Sequence, residues 1–286
     1  LPSPVLTGQA LARIRSLDHP AFSVRTVSLL YQKETGLRAA LEAFFSCCDQ
    51  ACREGINILI LSDRGVDENH LAIPSLLAVS ALEQHLIGIK KRTAVSVILE
   101  SGEPRDVHQL ALLIAYGARA VNPYLAHACV KSLCEKKQID KAPEQAIADY
   151  DRALTAGVLK IASKMGVSTL QAYQSAQLFE AVGLDGQFVD TYFTNTPYAL
   201  GGADLSRVEA DSRYHHKAAF TGLPAGLPSI GVHKLRTGEG AEEHLYSPET
   251  IHLLQQAVWT GNADLFDQYA ARVENEGPRT IRSMLT

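Results

Sequence analysis

Charged residues follow two apolar segments of the chain, at positions where they could bind an anion or transfer a proton. Asp63 and Arg64 come soon after an apolar run that ends at Leu61, and Glu100 follows a second such run. If both runs are strands of a parallel sheet, these residues lie at strand carboxyl ends, where α/β enzymes usually place their ligands and catalytic groups. An Asp–Arg pair in such a loop can equally cap the next turn. The residue types therefore allow acid–base chemistry, anion binding or a structural role.

Two further positions widen the set of candidates. The loop after Glu100 contains Glu103 and Arg105, but a paired-carboxylate mechanism needs a defined separation that spacing alone does not supply. Lys164 stands two residues before Gly166, at a turn that opens a helix. A lysine there could form a Schiff base or bind phosphate, or it could interact with the carboxyl end of the preceding helix.

The remaining polar residues match no catalytic or metal-binding motif. His108 lies in the first turn of a predicted helix, and His215 and His216 lack the HExxH or Cys–His spacing of metal and nucleophile sites. The Gly201-Gly202 pair does not begin a phosphate-binding loop. We therefore expect no catalytic, cofactor-binding or metal-binding residue in this chain. The loop positions that stay as candidates are Asp63, Arg64, Glu100, Arg105 and Lys164.

The cysteines indicate a reducing compartment and not a disulfide framework. Their number is odd and their spacing irregular, and no CxxC pair or nearby histidine suggests a metal site. Two of them, Cys48 and Cys52, share a predicted helical face with apolar residues, which favours small buried side chains. The five cysteines are Cys47, Cys48, Cys52, Cys129 and Cys134.

The elements that would position these loops alternate between strand and helix. Apolar, β-branched runs with continuous rather than alternating hydrophobicity predict strands buried on both faces, and intervening amphipathic helices predict a parallel sheet. The predicted strands are 23–30, 56–61, 94–99 and 118–121, and the helices between or before them are Leu37–Arg53, 74–87 and 106–116.

The second half of the chain has a mainly helical pattern. A capping box formed by Ser168 and Gln171 predicts a helix that continues to about residue 182, and 189–193 could form a fifth strand. The Gly- and Pro-rich stretch 221–247 predicts a linker, and Ser247-Pro248 is a typical helix start. The other predicted helices are 125–136, 143–165, 251–259 and 263–275.

Composition excludes several classes of protein. The chain has 286 residues, 46% of them hydrophobic, and a net charge of −4 from 27 basic and 31 acidic side chains. That balance argues against a dedicated nucleic-acid or anionic-membrane binder, and no apolar run approaches the ~20 residues of a membrane helix. The start has no signal-peptide pattern. Because the sequence begins with Leu1 and stops at Thr286 directly after an apolar-periodic stretch, we expect the chain to be a piece of a longer polypeptide.

Several segments, in order and spacing, resemble one enzyme family. The run Ile-Leu-Ile-Leu-Ser-Asp-Arg-Gly at 58–65 is similar to the "ILVLSDRG" segment of the large subunit of glutamate synthase. The resemblance extends over nearly the whole chain. Its other matching segments are 3–6, 73–81, 103–108, 116–124, 164–169, 179–184 and, as the helical start of a following domain, 251–284.

The resemblance implies a non-catalytic linking domain of a larger enzyme. It implies an incomplete (β/α) barrel-like domain at 1–220, a linker at 221–247 and, at 248–286, the helical start of an FMN-binding domain. The whole enzyme would hydrolyse glutamine, channel ammonia and convert 2-oxoglutarate to glutamate with FMN and a 3Fe-4S cluster. Implied partners are the neighbouring amidotransferase and FMN domains and an electron-donor protein or subunit, without nucleic acid or membrane. The implied location is the cytoplasm, or the plastid stroma in a photosynthetic eukaryote.

The family's catalytic and cofactor residues are not matched in this chain. In the family the amidotransferase nucleophile is an N-terminal cysteine, whereas this chain starts with Leu1. The cysteines here do not match the closely spaced trio that binds the cluster. Two other hypotheses stay open: a free-standing α/β-barrel enzyme that uses Asp63, Glu100 or Lys164 on a small anionic metabolite, and a non-catalytic interaction module.

Overall fold

A computed structural model describes residues 3–221, 244 and 246–275 of the chain. The chain divides into two compact units, Leu1–Leu223 and Pro224–Thr286, and each unit is described by itself. Most of the predicted linker 221–247 lies outside the described residues, and the proposed domain boundaries stay a prediction. Among the described helices, none has both the length and the apolar character needed to cross a bilayer.

The first unit alternates between strands and helices along most of its length. A short 3-10 turn, Arg92–Ala94, precedes the fifth strand. The strands are β1 (Val24–Ser28), β2 (Leu30–Gln32), β3 (Ile58–Ser62), β4 (His70–Ala72), β5 (Ser96–Glu100), β6 (Ala118–Asn122), β7 (Ala181–Leu184) and β8 (Tyr198–Ala203). The helices are α1 (Gly8–Arg15), α2 (Leu37–Arg53), α3 (Ser75–Gly88), α4 (Val107–Ala115), α5 (Tyr124–Glu135), α6 (Pro143–Lys164), α7 (Leu170–Tyr173), α8 (Gly186–Tyr192) and α9 (Leu205–Phe220).

A four-stranded parallel sheet organises this unit. Its strand order is β1-β3-β5-β6, and Val5 adds an isolated parallel bridge to Val121 at the β6 edge. Two small pairs lie outside it: β2 with β4, antiparallel, and β7 with β8, parallel. Successive strands of the main sheet are neighbours with helices between them, but the described strands do not close into a barrel. The predicted α/β fold, a parallel sheet with flanking helices and an incomplete barrel, is confirmed.

Both faces of the sheet are buried, as its continuous hydrophobicity predicts. In β3, Leu59 and Leu61 belong to the large core formed with α2, α3 and α4, whereas Ile60 belongs to a second cluster with Ile98 and Leu11. All five side chains are at most 3% exposed. The alternation follows from the two-residue period of a strand. Helix α1 therefore covers the face that the interior of a closed barrel would occupy.

Helix α1 was not among the predicted elements. It begins after Thr7, whose Oγ1 accepts a hydrogen bond from the Ala10 amide at 3.1 Å, a standard N-cap arrangement. The helix has eight residues, of which Leu11 alone is buried. One buried position cannot produce a repeated apolar stripe, so periodicity gives no signal.

The helix predicted from residue 168 to about 182 is wrong. Its true cap is Thr169, which accepts from the Ala172 amide at 3.1 Å, and α7 lasts only four residues. Ser175 and Gln177 then adopt left-handed φ values of 58° and 53°, which a continuing right-handed helix does not allow. The end of the predicted helix is strand β7 instead.

The strand predicted at 189–193 is also wrong, because most of this segment belongs to α8. Asp185 caps the helix by accepting a hydrogen bond from the Phe188 amide at 3.1 Å. Phe188 and Val189 are buried on the helix. Short apolar runs of this length do not distinguish a buried strand from a buried helix turn.

The second unit contains a pair of helices, α10 (Pro248–Thr260) and α11 (Ala263–Asn275). Ser247 caps the first by accepting from the Thr250 amide at 3.1 Å, as the Ser-Pro start predicts. Gly261 ends it with a φ of 64°, a left-handed conformation that glycine adopts without steric cost. Both predicted helices of this region are therefore present.

Candidate functional site

The carboxyl ends of β3, β5 and β6 bring three of the candidate residues into one network. Asp63 and Arg64 follow β3, Glu100 is the last residue of β5, and Tyr124 lies just beyond β6. Parallel strands end at the same edge of a sheet, so loops that are far apart in sequence meet there. We refer to Arg15, Ser62, Asp63, Arg64, Glu100, Ser101 and Tyr124 as the carboxyl-end network.

Glu100 is the most enclosed carboxylate of this network, at 2% exposure. Its Oε2 accepts hydrogen bonds from Ser62 Oγ at 2.6 Å and Arg15 Nη2 at 2.7 Å, and its Oε1 accepts from Arg64 Nε at 2.6 Å. Burial disfavours the charged form, but these hydrogen bonds outweigh it and hold the pKa of Glu100 below its usual range. The carboxylate stays charged, and donors on the chain itself occupy both its oxygens.

Asp63 is held by a different set of donors. It is 4% exposed, and its Oδ2 accepts from Ser101 Oγ at 2.5 Å and from the Gly102 amide at 3.0 Å. Burial first, and then the charge of Asp63, raise the pKa of the Tyr124 hydroxyl well above its usual range. Asp63 therefore ties the β3 loop to the loop after β5.

Arg64 closes the outer side of the network. Its guanidinium carbon stands 3.9 Å from the centroid of the Tyr124 ring, within the range of a cation–π contact. The side chain is 51% exposed, so the arginine caps the buried Glu100 while remaining in contact with water. The ion pair and the ring contact fix it to two loops at once.

The next loop residue, Glu103, has a capping role. Its Oε2 accepts from the Ser75 amide at 2.7 Å and also from the Ser75 hydroxyl. Helix α3 begins at Ser75, after Pro74, which provides no side-chain cap. Glu103 therefore supplies a negative charge and an acceptor at the amino end of α3, where both are favourable.

Buried Asn122 connects the network edge to the start of the chain. Its Nδ2 donates to the Leu6 carbonyl at 2.7 Å, and the residue is fully buried. Among the described residues, its Oδ1 has no hydrogen-bond partner. The bond holds the segment that leads into α1 against β6.

Arg105 and Lys164 do not join the carboxyl-end network. Arg105 is exposed, and the contacts described for it are made by its backbone, including its carbonyl, which accepts from Tyr150 at 2.8 Å. Lys164 is exposed in the last turn of α6, where a cation interacts favourably with the helix carboxyl end. Neither placement resembles a site for covalent or phosphate chemistry.

The histidines singled out by sequence make separate contacts and do not converge on one site. The ring of His108 packs edge-on against Phe179, with centroids 5.9 Å apart. His216 hydrogen-bonds through Nε2 to the Asp67 carbonyl at 2.7 Å, and His215 packs on its sequence neighbour Tyr214. Across the described ranges, no group of three or more His, Cys, Asp or Glu residues is placed to hold a metal ion.

The cysteines are all free. Cys48 is fully buried in the large core, as its helical position predicts, and Cys52 is half-buried beside it. Burial raises the pKa of Cys48 well above its usual range, which keeps it a thiol. Such a group packs as a small hydrophobe and is a poor nucleophile or metal ligand.

Four members of the network were missed as such by sequence reasoning. Three of them lie at or just after strand ends: Ser62, Ser101 and Tyr124. The sequence could have indicated them, because a buried acid at a strand end requires hydrogen-bond donors nearby. Arg15 could not be found in this way, because it lies 85 residues from Glu100. The network can position loops and neutralise charge, and its carboxylates are saturated by internal donors.

Comparison with known families identifies what this chain is similar to. A family model described as "Glutamate synthase central domain" matches residues 1–185. The matched span contains the main parallel sheet, α1 and the whole carboxyl-end network.

Relatives are similar over the whole chain. The glutamate synthase [NADPH] large chain of Bacillus subtilis (strain 168) is 38% identical over 99% of this chain and 18% of its own length. Glutamate synthase [NADH] of Schizosaccharomyces pombe is 32% identical over 100% of this chain and 14% of its own. The ferredoxin-dependent glutamate synthase of Pyropia yezoensis is 32% identical over 100% of this chain and 19% of its own length. The chain thus spans less than a fifth of the length of these relatives.

Among solved structures, a mutant flavocytochrome b2 with benzoylformate gives a TM-score of 0.40 at 12% identity, covering 63% of this chain and 42% of that one. A similarity of that size carries no conclusion about the present chain.

Proposed function

Because the chain belongs to the glutamate synthase central domain family, we propose that it is the non-catalytic scaffold of a glutamate synthase large chain. In this role it connects the amidotransferase domain, which releases ammonia from glutamine, to the FMN domain, which uses ammonia to convert 2-oxoglutarate to glutamate. Its partners are those two domains of the same chain and, for the whole enzyme, an electron-donor protein or subunit. Its location is that of the parent enzyme, the cytoplasm or a plastid.

The observation that carries this proposal is the saturation of the carboxyl-end network. In an enzyme of this architecture, groups at that edge must be free to meet substrate. Here Glu100 and Asp63 are each at most 4% exposed, and each accepts several hydrogen bonds from the chain itself. An edge arranged in this way stabilises the domain and leaves the reaction to other domains.

The cofactors implied by the family do not fit the residues of this chain. A flavin phosphate needs free hydrogen-bond donors, and those at the sheet edge that could receive it are already bonded to the carboxylates of Asp63 and Glu100. An iron–sulfur cluster needs thiolates, but Cys48 is buried with a raised pKa, and the described residues offer no cluster of three ligands. We therefore assign FMN and the cluster to other parts of the whole enzyme.

The hypothesis of a free-standing enzyme has less support. It relied on Asp63, Glu100 or Lys164 as reactive groups. The first two are saturated by internal donors, and Lys164 lies at a helix end, outside the network. The interaction-module hypothesis is retained within the scaffold proposal, since a scaffold binds its neighbouring domains.

The scaffold proposal is tested best in a full-length glutamate synthase that contains this segment. Arg64→Ala removes one ion pair and the contact on Tyr124 while leaving the core intact. We expect glutamine hydrolysis to exceed glutamate formation, because the two sites are no longer held at a fixed separation. The rate of glutamate formation from added ammonia should stay unchanged.

The matched control is Arg152→Ala, which removes an arginine that is 72% exposed and paired with Asp149. It should leave the coupling unchanged. Loss of the ammonia-dependent rate in Arg64→Ala alone would mean that this chain takes part in the chemistry. Saturable turnover of glutamine or 2-oxoglutarate by the 286-residue chain would also overturn the proposal.

A further inference from the structure

An open cavity of the first unit lies at the edge of the sheet opposite the carboxyl-end network. Its volume is about 540 Å³, within the range of small-molecule sites. Ile58, Ser96 and Ala118, the first residues of β3, β5 and β6, line it. We refer to this cavity as the amino-end groove. None of the candidate loop residues lines this groove, including Asp63, Glu100 and Lys164.

The walls of the amino-end groove are largely apolar. Ile14, near the end of α1, and Leu17 and Phe22, in the segment that follows, form one side. Leu17 is 41% exposed and Phe22 is 49% exposed. Binding of a hydrocarbon group to a concave apolar surface is favourable, because it removes apolar side chains from water.

One cation also lines this wall. Arg119, the second residue of β6, is half-buried. Within residues 3–221 its side chain forms neither a hydrogen bond nor an ion pair, although Arg92 and Glu83 act on it electrostatically. Burial first, and then the like charge of Arg92, lower the pKa of Arg119. A half-buried guanidinium without a counter-ion is unfavourable, and an anion would relieve that cost.

The nearby carboxylate, Glu83, is engaged through one oxygen, whereas its Oε2 has no hydrogen-bond partner among the described residues. Glu83 is 4% exposed and pairs with Arg92, whose Nε donates to its Oε1. Arg92 is the arginine that pairs with this carboxylate, and Arg119 lies near it without a direct contact, so the local charge is +1 when all three groups are ionised. The excess positive charge belongs to Arg119, on the wall of the groove.

We propose that the amino-end groove binds a small amphipathic carboxylate, with the carboxylate against Arg119 and the hydrocarbon chain against Ile14, Leu17 and Phe22. The charge selects an anion, and the apolar walls select a chain or ring attached to it. Ser96 lines the same groove, and a serine hydroxyl can donate an additional hydrogen bond. This site is independent of the scaffold role and would add a ligand-binding function to it.

Isothermal titration of the chain with octanoate tests the proposal, with octanol and octylammonium as matched probes. We expect saturable binding of octanoate, weaker binding of octanol and none of octylammonium. In Arg119→Gln, octanoate should bind at least about tenfold more weakly, while octanol should be little affected. The control variant Arg152→Gln, remote in sequence and exposed, should bind octanoate like the parent chain.

A second variant places a negative charge at the rim of the groove. Leu17→Glu changes a side chain that is 41% exposed, so the fold should tolerate it, and it should weaken octanoate through repulsion. Far-ultraviolet circular dichroism confirms that each variant is folded. Equal affinities for octanol and octanoate would identify an apolar docking surface for another segment and overturn the proposal. An octanoate affinity that is unchanged in both Arg119→Gln and Leu17→Glu would also overturn the proposal, as would the absence of octanoate binding at millimolar concentration.

Discussion

Asp63 and Glu100 stand side by side at the ends of neighbouring strands, yet their carboxylates never share a donor. The Asp63 amide donates to the Glu100 carbonyl at 3.2 Å. The side chains then separate: Ser101 and the Gly102 amide hold Asp63, while two arginines and Ser62 hold Glu100. A pair that exchanged a proton would have to meet directly. The two acids, each held by its own donors, brace the loops instead.

Removing the Glu100 carboxylate should destabilise the chain strongly. Glu100→Ala leaves Arg15 and Arg64 without their shared partner. We expect the free energy of unfolding to fall by about 2–3 kcal/mol, less than for a fully buried pair because both arginines reach water. Urea denaturation measures this. Glu54→Ala, which breaks the more exposed pair with Arg25, should lower the free energy of unfolding much less, because solvent screens an exposed ion pair, and equal losses in the two variants would contradict the prediction.

Stability should also depend on pH through Glu100. Its pKa is lower in the folded state than the ordinary value of about 4.3. The stabilisation is therefore fully present above that ordinary value and is lost as pH falls toward the folded pKa. Unfolding free energies measured from about pH 6 downward should show a steeper acid decline in the parent chain than in Glu100→Gln. Parallel curves for the two proteins would mean that other acids set the decline.

Helix α1 should be needed to cover the inner face of the sheet. Leu11→Ala removes a side chain that is 1% exposed and belongs to the cluster with Ile60 and Ile98. We expect a loss of about 2–4 kcal/mol, the usual cost of such a cavity. Hydrogen exchange should show α1 amides losing protection first. The control Leu17→Ala changes an exposed leucine after the helix and should leave stability within about 1 kcal/mol.

Thiol reactivity should follow burial. Cys47 and Cys129 are exposed, whereas Cys48 and Cys134 are buried, and burial also raises the pKa of Cys48. Alkylation of the native chain followed by peptide mass spectrometry should therefore label the exposed pair first. In denaturant all the cysteines should react at similar rates. Rapid native labelling of Cys48 would show that α2 opens more easily than its packing indicates.

Much of the fold follows from local pattern. Helix α2 has the predicted bounds, Leu37–Arg53, because its apolar stripe is long and regular, and the main strands are within two residues of their predicted starts. The errors fall where the signal is short. The helix predicted after Ser168 is cut short because Ser175 has a left-handed backbone conformation. That conformation depends on tertiary packing, which a capping motif does not encode.

The sequence alone determined the alternation of strands and helices, the family and the edge of the sheet at which Asp63, Arg64 and Glu100 meet. Those features depend on residue periodicity and motif order, which are local. Only the tertiary structure decided that Arg15 neutralises Glu100 and that Arg119 faces an open groove. The environment of a charge depends on which distant segments pack around it, so the same acidic and basic residues could have formed a reactive site or the braced edge that is present.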